Sequence, residues 1–427
     1  MTIISRQFDI AIIGAGASGL AAAIEAKRMQ PSPSVAILEK SARPGRKILA
    51  SGNGRCNIAN ENLMTAFYHG ENPAFTEPAF SRYPLAETKN FFAQMGIPLR
   101  QDGRDGRLYP YSLSSAAVID ALRLEATYLG IEILTDAEAV AITRSKQVFF
   151  VEFISDGVRK KMASASVIVA CGGAASPGLG GCMDGYALLK KLGHRITALK
   201  PSIVQLESDS AFTKSMDGLR IDAVAAIKNS AVSCRDEVLF TKYGLSGPAI
   251  MQISYHCVSA LSGGNKPVIA LNLLPDFSPE SLINELSQRV ASRPWVLLED
   301  FLVGLLPKRI GMMAVKAAEV APFSRFAESL TRSEIKAIAN TLQNWEFNIT
   351  GDMGMKQAQV TSGGAATGEF DSATMQSKLV QRLFACGEVL DIDGDCGGYN
   401  LQWAWSSGRL AGFHAANSAR NKQQKGE

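Results

Sequence analysis

The chain has 427 residues, 20% charged and 46% hydrophobic, a length beyond what a single core usually serves, so two or three domains are expected. A formal net charge of +4 with no long basic block gives no electrostatic case for a nucleic-acid partner; the first nine residues lack a secretion-signal pattern, and no apolar run is long enough for a membrane span. Seven cysteines (Cys56, Cys171, Cys182, Cys234, Cys257, Cys386, Cys396), odd in number and without CxxC, fit a reducing cytoplasm and exclude a disulfide framework, a zinc site or a dithiol reductase.

Residues 8–40 read as strand, glycine turn, helix and second strand ending in an acid. An apolar run at 8–13 is followed directly by Gly14, Ala15, Gly16, Ala17, Ser18 and Gly19, a GxGxxG. Gly14 allows the tight turn, Gly16 lets backbone approach a pyrophosphate, and Gly19 lets the helix sit close to the strand. The helix then points its free N–H groups and positive end at the phosphates. Glu39, twenty residues after Gly19, is placed to accept both hydroxyls of an adenosine ribose, and its charge disfavours a 2′-phosphate.

Residues 40–60 are rich in Gly, Ser, Asn and Arg and are expected to form a loop around something anionic. Arg43, Arg46 and Lys47 supply charge there, and Ser51, Gly52, Asn53 and Gly54 supply backbone N–H groups. Residues 85–96 read as helix and 101–112 as a polar loop carrying Arg104 (outside the described residues), Arg107, Tyr109 and Tyr111. Ser114 or Ser115 caps a helix that Gly130 ends. Strands at 131–135, 139–144 and 148–154 make a small meander. A buried strand at 167–171 empties into a second glycine turn, so the chain passes the ligand again, and a short helix follows at 184–192. From 195 the character changes: 195–275 reads as β and 276–345 as helical, with Thr331 and Glu334 forming a capping box. Domain limits are therefore expected at 1–194, 195–345 and 346–427, the middle part being an insertion. The last part holds a strand at 383–386 and a glycine turn, 397–401, that opens a long helix.

Four runs taken together, GAGASGLAAA, GRKILASGNGRCNIAN, FTKYGLSGPAIMQIS and GEVLDIDGDCGGYNLQWAWSSGRLAG, resemble the FAD-binding superfamily of two-dinucleotide-binding-domain flavoproteins. Within it the chain is similar, over nearly its whole length, to the bacterial family of BaiN-type and YhiN-like flavoproteins and aminoacetone oxidase. The resemblance implies an α/β protein: a Rossmann-like FAD-binding domain with a small antiparallel meander, plus an inserted domain with a β-barrel-like part and a helical part. It also implies that Gly14, Ala15, Gly16, Ser18 and Gly19 hold the pyrophosphate and Glu39 the ribose, with Lys40 flanking the adenine. Arg46, Lys47, Asn53, Gly54 and Arg55 would line the pyrophosphate and isoalloxazine, and Val140 would touch adenine through its backbone. Ala170, Gly172 and Gly173 mark the second pass, Gly387 and Glu388 meet the ribityl chain, and Asn400, Leu401 and Gln402 the pyrimidine edge. Where many relatives carry hydroxyls in an SYP…TGSTGDGY run, this chain has ASPGLGGCMDGY, and no such contact carries over.

No His-Pro-Thr-like run is present, so FAD is expected to be non-covalent. His69, His194, His256 and His414 have no metal spacing. Cys56 is read as a packing or flavin-contact residue, not a nucleophile. Tyr109, Tyr243 and Tyr399 are candidate proton donors, and none is assigned a catalytic role. The expected activity is that of a cytoplasmic FAD-dependent oxidoreductase moving a hydride between flavin N5 and a small organic substrate, with NAD(P)H as a transient donor. No second GxGxxG follows a strand, so a nicotinamide would dock directly at the substrate site. The alternatives are an oxygen-using amine oxidase of the aminoacetone oxidase type, an RNA-modifying flavoprotein and a flavin-bound sensor. Substrate and oligomeric state are not assigned.

Overall fold

The computed structural model describes residues 4–103 and 105–424. The chain divides into two compact units, Met1–Lys200 with Gln359–Glu427, and Pro201–Ala358. In the first, apolar runs lay down a parallel sheet: β1 (Ile4–Ile13), α1 (Ala17–Met29) and β2 (Val35–Leu38), every residue of β2 being buried. The stretch 40–60 is not loop throughout. It contains α2 (Arg46–Ala50), a 3-10 turn over Ser51–Gly54, and β3 (Ala59–Asn60).

The chain continues through β4 (Tyr68–His69), α3 (Glu77–Arg82), α4 (Leu85–Ala93), β5 (Leu99–Gln101) and β6 (Arg107–Pro110). β6 overturns the loop expected at 101–112. Leu108 and Tyr109 are buried, and β6 is held between β3 and β5; its charged, glycine-broken surroundings hide that pairing in the sequence. In α5 (Ser115–Tyr128) the cap is Ser114, whose hydroxyl oxygen accepts from the Ala117 N–H at 3.3 Å. β7 (Glu132–Leu134), β8 (Ala137–Ser145), β9 (Val148–Ser155), β10 (Val158–Val169) and α6 (Asp184–Lys191) follow. The meander is β8, β9 and β10, since β7 pairs in parallel with β2 instead. β10 starts at Val158 and not at 167: its first nine residues, VRKKMASAS, include one β-branched side chain, Val158, and are held largely by pairing to β9.

β11 (Lys200–Ser202) stands at the junction. The second unit contains β12 (Leu206–Ser208), α7 (Ala211–Ser215), β13 (Arg220–Ile227), β14 (Ser233–Thr241), β15 (Gly244–Ser246), α8 (Pro248–Ser262) and β16 (Val268–Asn272). Then come α9 (Pro279–Ser292), α10 (Lys308–Ala317), α11 (Arg332–Gln343), β17 (Trp345–Asp352) and α12 (Gly354–Gln357). Strands β12, β15, β14, β13, β16 and β17 form a closed antiparallel barrel. Closure explains why this unit runs past the expected limit at 345. β12 and β16 would be open edges without β17, so the chain returns after the helices to pair with both. Trp345, Phe347 and Ile349 are buried and alternate with exposed neighbours, a two-residue period that makes a strand where the helical part was expected to end.

Back in the first unit, β18 (Val360–Ser362) precedes β19 (Leu383–Ala385), which joins β10 in parallel. β20 (Asp393–Gly394) pairs with β4, and α13 (Tyr399–Gln424) closes the chain. α13 lies directly on α1. A Cβ on Gly408 would stand 2.3 Å from the Ser18 carbonyl oxygen, and one on Gly412 2.1 Å from that of Ala22, so only glycine permits this approach. Trp403 and Trp405 are fully buried in the same helix, each removing roughly 150–250 Å² from water, on the order of 4–6 kcal/mol.

Candidate flavin site

Strand register decides what meets at the carboxyl edge of the sheet. Ile13 pairs with Leu38 and with Val169, and Val169 with Ala385. Gly14, Glu39, Ala170 and Cys386 therefore leave four parallel strands side by side, at the edge where open sheets bind ligands. The two ends of the sequence share this edge.

Gly14 turns with φ 106°, and a Cβ there would stand 2.4 Å from the Ala170 carbonyl oxygen. One on Gly19 would stand 1.9 Å from the Gly14 carbonyl oxygen, so both are packing requirements. Gly16 differs: nothing lies within 4 Å of such an atom. The first intrahelical bond of α1 runs from the Leu20 N–H to the Gly16 carbonyl, leaving the N–H groups of Ala17, Ser18 and Gly19 in the unbonded first turn. Open space, unspent donors and a positive helix end are what a bound phosphate requires. Beside it the half-buried Glu39 accepts from the Ala15 N–H and the Ser41 N–H, each at 2.8 Å. Both oxygens keep a lone pair for hydroxyl donors.

Lys40 is exposed and held by Glu138 (2.8 Å) and Asp184 (2.9 Å), whose hydrogen bonds raise its pKa well above the ordinary lysine value. Val140 is the extra residue of a bulge: Ala139 pairs with Phe153 and Ala141 with Glu152, so its backbone is out of the ladder. Arg46 is exposed and donates to the Gly178 carbonyl at 2.7 Å. Lys47 reaches both oxygens of Glu388, at 3.1 and 2.9 Å. The same carboxylate accepts from the Thr361 N–H at 2.8 Å, and a Cβ on Gly173 would stand 2.2 Å from it. Thr361 in turn accepts from the Ala175 N–H at 2.8 Å. Gly172, at φ 71°, has nothing within 4 Å of a would-be Cβ. Gly387, at φ 75°, faces Ser18, its N–H donates to the Ser407 hydroxyl at 3.0 Å, and its carbonyl accepts from the Trp403 indole at 3.2 Å.

The turn after α2 is left-handed at Gly52 (φ 58°), Asn53 (φ 56°) and Gly54 (φ 82°), and again at Cys56 (φ 60°). For Asn53 and Cys56 this costs about 1 kcal/mol or more apiece, strain of the kind that collects at ligand clamps. Asn53 and Gly54 are exposed; Arg55 places its guanidinium 4.8 Å over the Tyr109 ring and bonds Asp102 at 2.9 Å. The Cys56 thiol is fully buried, and burial pushes its pKa up to about 12.

At the other end of the edge, a Cβ on Gly398 would stand 2.5 Å from the Ala59 carbonyl oxygen. The Gln402 N–H bonds the Gly398 carbonyl at 3.0 Å, so those of Asn400 and Leu401 lie in the unbonded first turn of α13. Their backbone is what they offer. The Asn400 amide is spent on Gly394, and the buried Gln402 amide donates to Thr88 and Ser406. Tyr243 lies in the barrel unit. His194 is buried between Glu369 and Ser377, each at 3.0 Å, and stacks on Phe370. Among the described residues no His, Cys, Asp or Glu cluster could hold a metal, and no helix is long and apolar enough to cross a membrane. Sequence reading assigned no role to Thr361, Ser407, Gly412 or Gly408, the last read only as part of the final helix; of these the glycine pair, four residues apart on a helix, carried a signal.

Residues 8–414 match the family described as HI0933-like protein, Rossmann domain. The chain belongs to that family. It is 36% identical to the 3-dehydro-bile acid delta(4,6)-reductase of Clostridium scindens, over 95% of this chain and 98% of that one. It is 32% identical to the ribosomal RNA dihydrouridine synthase of Haemophilus influenzae, over 94% and 97%. Among solved structures, the 3-ketosteroid-delta4-(5alpha)-dehydrogenase of Rhodococcus jostii RHA1 superposes with a TM-score of 0.50 at 15% identity, over 97% and 98%, which speaks for the fold. As a member of its family the chain is an FAD-dependent oxidoreductase. An open glycine turn, a fixed ribose-type carboxylate and two unbonded helix N-termini at one sheet edge fit that cofactor.

Proposed function

We propose that this FAD-dependent oxidoreductase reduces a carbon–carbon double bond conjugated to a carbonyl in a small organic molecule, drawing its electrons from NAD(P)H. The observation that carries the flavin half is the register that gathers Gly14, Glu39, Ala170 and Cys386 at one edge. When bound, FAD supplies a hydride at N5. In this reading Gly14, Ala15, Gly16, Ser18 and Gly19 bind the pyrophosphate and Glu39 the ribose, while Lys47 and Glu388 brace the ribityl region against both chain ends. The first turn of α13 stabilises negative charge on the pyrimidine ring. The relatives' names narrow the substrate. A delta(4,6)-reductase and a dihydrouridine synthase both hydrogenate a double bond made electron-poor by a carbonyl.

RNA is the second reading, favoured by the dihydrouridine synthases; charge favours the small molecule. Residues 201–358 hold 15 Lys and Arg against 16 Asp and Glu. Several of those cations are already paired, Arg235 with Asp222 and Asp276, and Lys228 with Glu346. A polyanion needs unpaired positive charge. Anaerobic NADPH should bleach the holoenzyme, and a cyclic enone should restore its colour. Recovery only with uridine-containing ribosomal RNA would select the second reading. Bleaching by primary amines with recovery only in oxygen would select an amine oxidase and overturn both.

A further inference from the structure

Adding hydrogen across a conjugated double bond requires a hydride equivalent at the β-carbon and a proton at the α-carbon, and a general acid on the chain speeds delivery of the proton. Five tyrosines are buried: Tyr68, Tyr83, Tyr109, Tyr186 and Tyr399. Three are committed, Tyr68 to the Tyr399 carbonyl (3.0 Å), Tyr83 to the Glu25 carboxylate (2.9 Å) and Tyr186 to the Glu388 carbonyl (3.5 Å). Among the described residues, the hydroxyls of Tyr109 and Tyr399 have no hydrogen-bond partner, although the two residues are only 3% and 5% exposed. Neither hydroxyl oxygen is itself sealed from solvent, so each reaches open space where a substrate can meet it.

The geometry points to Tyr109 as the proton donor to the substrate's α-carbon. This rests on the conjugated-alkene reading above. Tyr109 sits on β6, fixed between β3 and β5. Its Cε1, next to the hydroxyl-bearing carbon, lies 3.0 Å from where a Cβ on Gly52 would be, so the hydroxyl end adjoins the strained turn whose Asn53 and Gly54 the family resemblance sets beside the pyrophosphate and isoalloxazine. Charge separates the two candidates. Burial raises the pKa of both, keeping both protonated. Around Tyr109 the strongest charges are Arg107 and Arg55, which favour its anion, ahead of Asp105 and Asp102, which oppose it. Around Tyr399 the strongest are Asp395 and Asp105, which oppose the anion, and its ring is wedged between Phe67 and Tyr68. A general acid must carry the charge left behind; Arg107 favours either anion, but of the two only Tyr109 has a second cation, the Arg55 guanidinium 4.8 Å over its ring. The step balances. The cofactor's electron pair arrives as hydride at the β-carbon, and the double bond's π pair moves to the α-carbon. The Tyr109 O–H breaks to form the new C–H bond, and water reprotonates the tyrosinate.

The test uses holoenzyme reduced anaerobically with one equivalent of dithionite and followed by its visible spectrum. Cyclohex-2-enone and androst-4-ene-3,17-dione reoxidise it with proton transfer to carbon; ferricyanide reoxidises it without. Tyr109→Phe should lower the ratio of enone to ferricyanide rates at least 100-fold, Tyr399→Phe should leave the ratio within 3-fold, and enone binding to oxidised Y109F, titrated by its spectral shift, should stay within 3-fold of wild type. A Y109F ratio within 3-fold of wild type overturns the assignment alone. Wild type that neither enone reoxidises overturns the assignment together with the reading beneath it. Should Y109F not hold flavin, 3-fluorotyrosine at 109 must move the alkaline limb of the enone rate's pH profile downward; an unmoved limb is equally fatal.

Discussion

Cys56 and Cys386 are both fully buried, and burial pushes each thiol up to about 12. Neither holds a useful thiolate at neutral pH. Iodoacetamide at pH 8 should leave both unmodified in native protein and label both in urea, read by peptide mass spectrometry; native labelling of Cys56 would contradict its packing role. Lys47 matters in the opposite way. Removing it leaves the Glu388 carboxylate, with its side chain only 17% exposed, holding the Thr361 N–H as its remaining partner. Lys47→Met should cost roughly 1–3 kcal/mol in urea unfolding and weaken FAD binding at least 10-fold by fluorescence titration. Burial also holds the pKa values of His194 and His414 below their ordinary 6.5. The unfolded chain takes those protons first, so they contribute stability above that pH and lose it as pH falls. The urea midpoint should drop between pH 7.5 and 6.0, and drop less in H194Q compared with itself.

Two helix contacts separate packing from binding. At Gly412 a methyl group meets the Ala22 carbonyl oxygen at 2.1 Å, so Gly412→Ala must push α13 off α1 at a cost of about 1–3 kcal/mol. At Gly16 the same methyl meets nothing within 4 Å. Gly16→Ala should leave the melting temperature of the apoprotein within a degree or two yet abolish FAD retention on gel filtration. A G16A protein that keeps its flavin would remove the pyrophosphate from that turn. Which elements were legible follows from the same physics. The βαβ start was plain because its strand runs are apolar and its turn demands glycines at fixed spacing. The capping box at Thr331 was equally plain, a purely local signal that the structure keeps. β6 and β17 were not, since each is fixed by a partner strand distant in sequence, and the start of β10 was not, since its polar residues are held by the hairpin with β9 and carry no strand pattern of their own. Glu388 could be read as a contact; its bonds to Lys47 and Thr361 could not, because no local pattern brings those three residues together.

Across the whole molecule the insertion at Pro201–Ala358 leaves the first unit with its two chain segments interleaved in one sheet, β19 beside β10 and β10 beside β1. Neither segment completes the edge alone, so the cofactor and the fold of this unit should stabilise each other by mass action. Apoprotein titrated with FAD should gain melting temperature until one equivalent is bound, then only slowly. The most direct measurement is the absorption spectrum of purified full-length protein, incubated with FAD and freed of excess by gel filtration. The account predicts a yellow protein carrying one FAD per chain, its colour lost in G16A. A well-folded but colourless wild-type protein would contradict it.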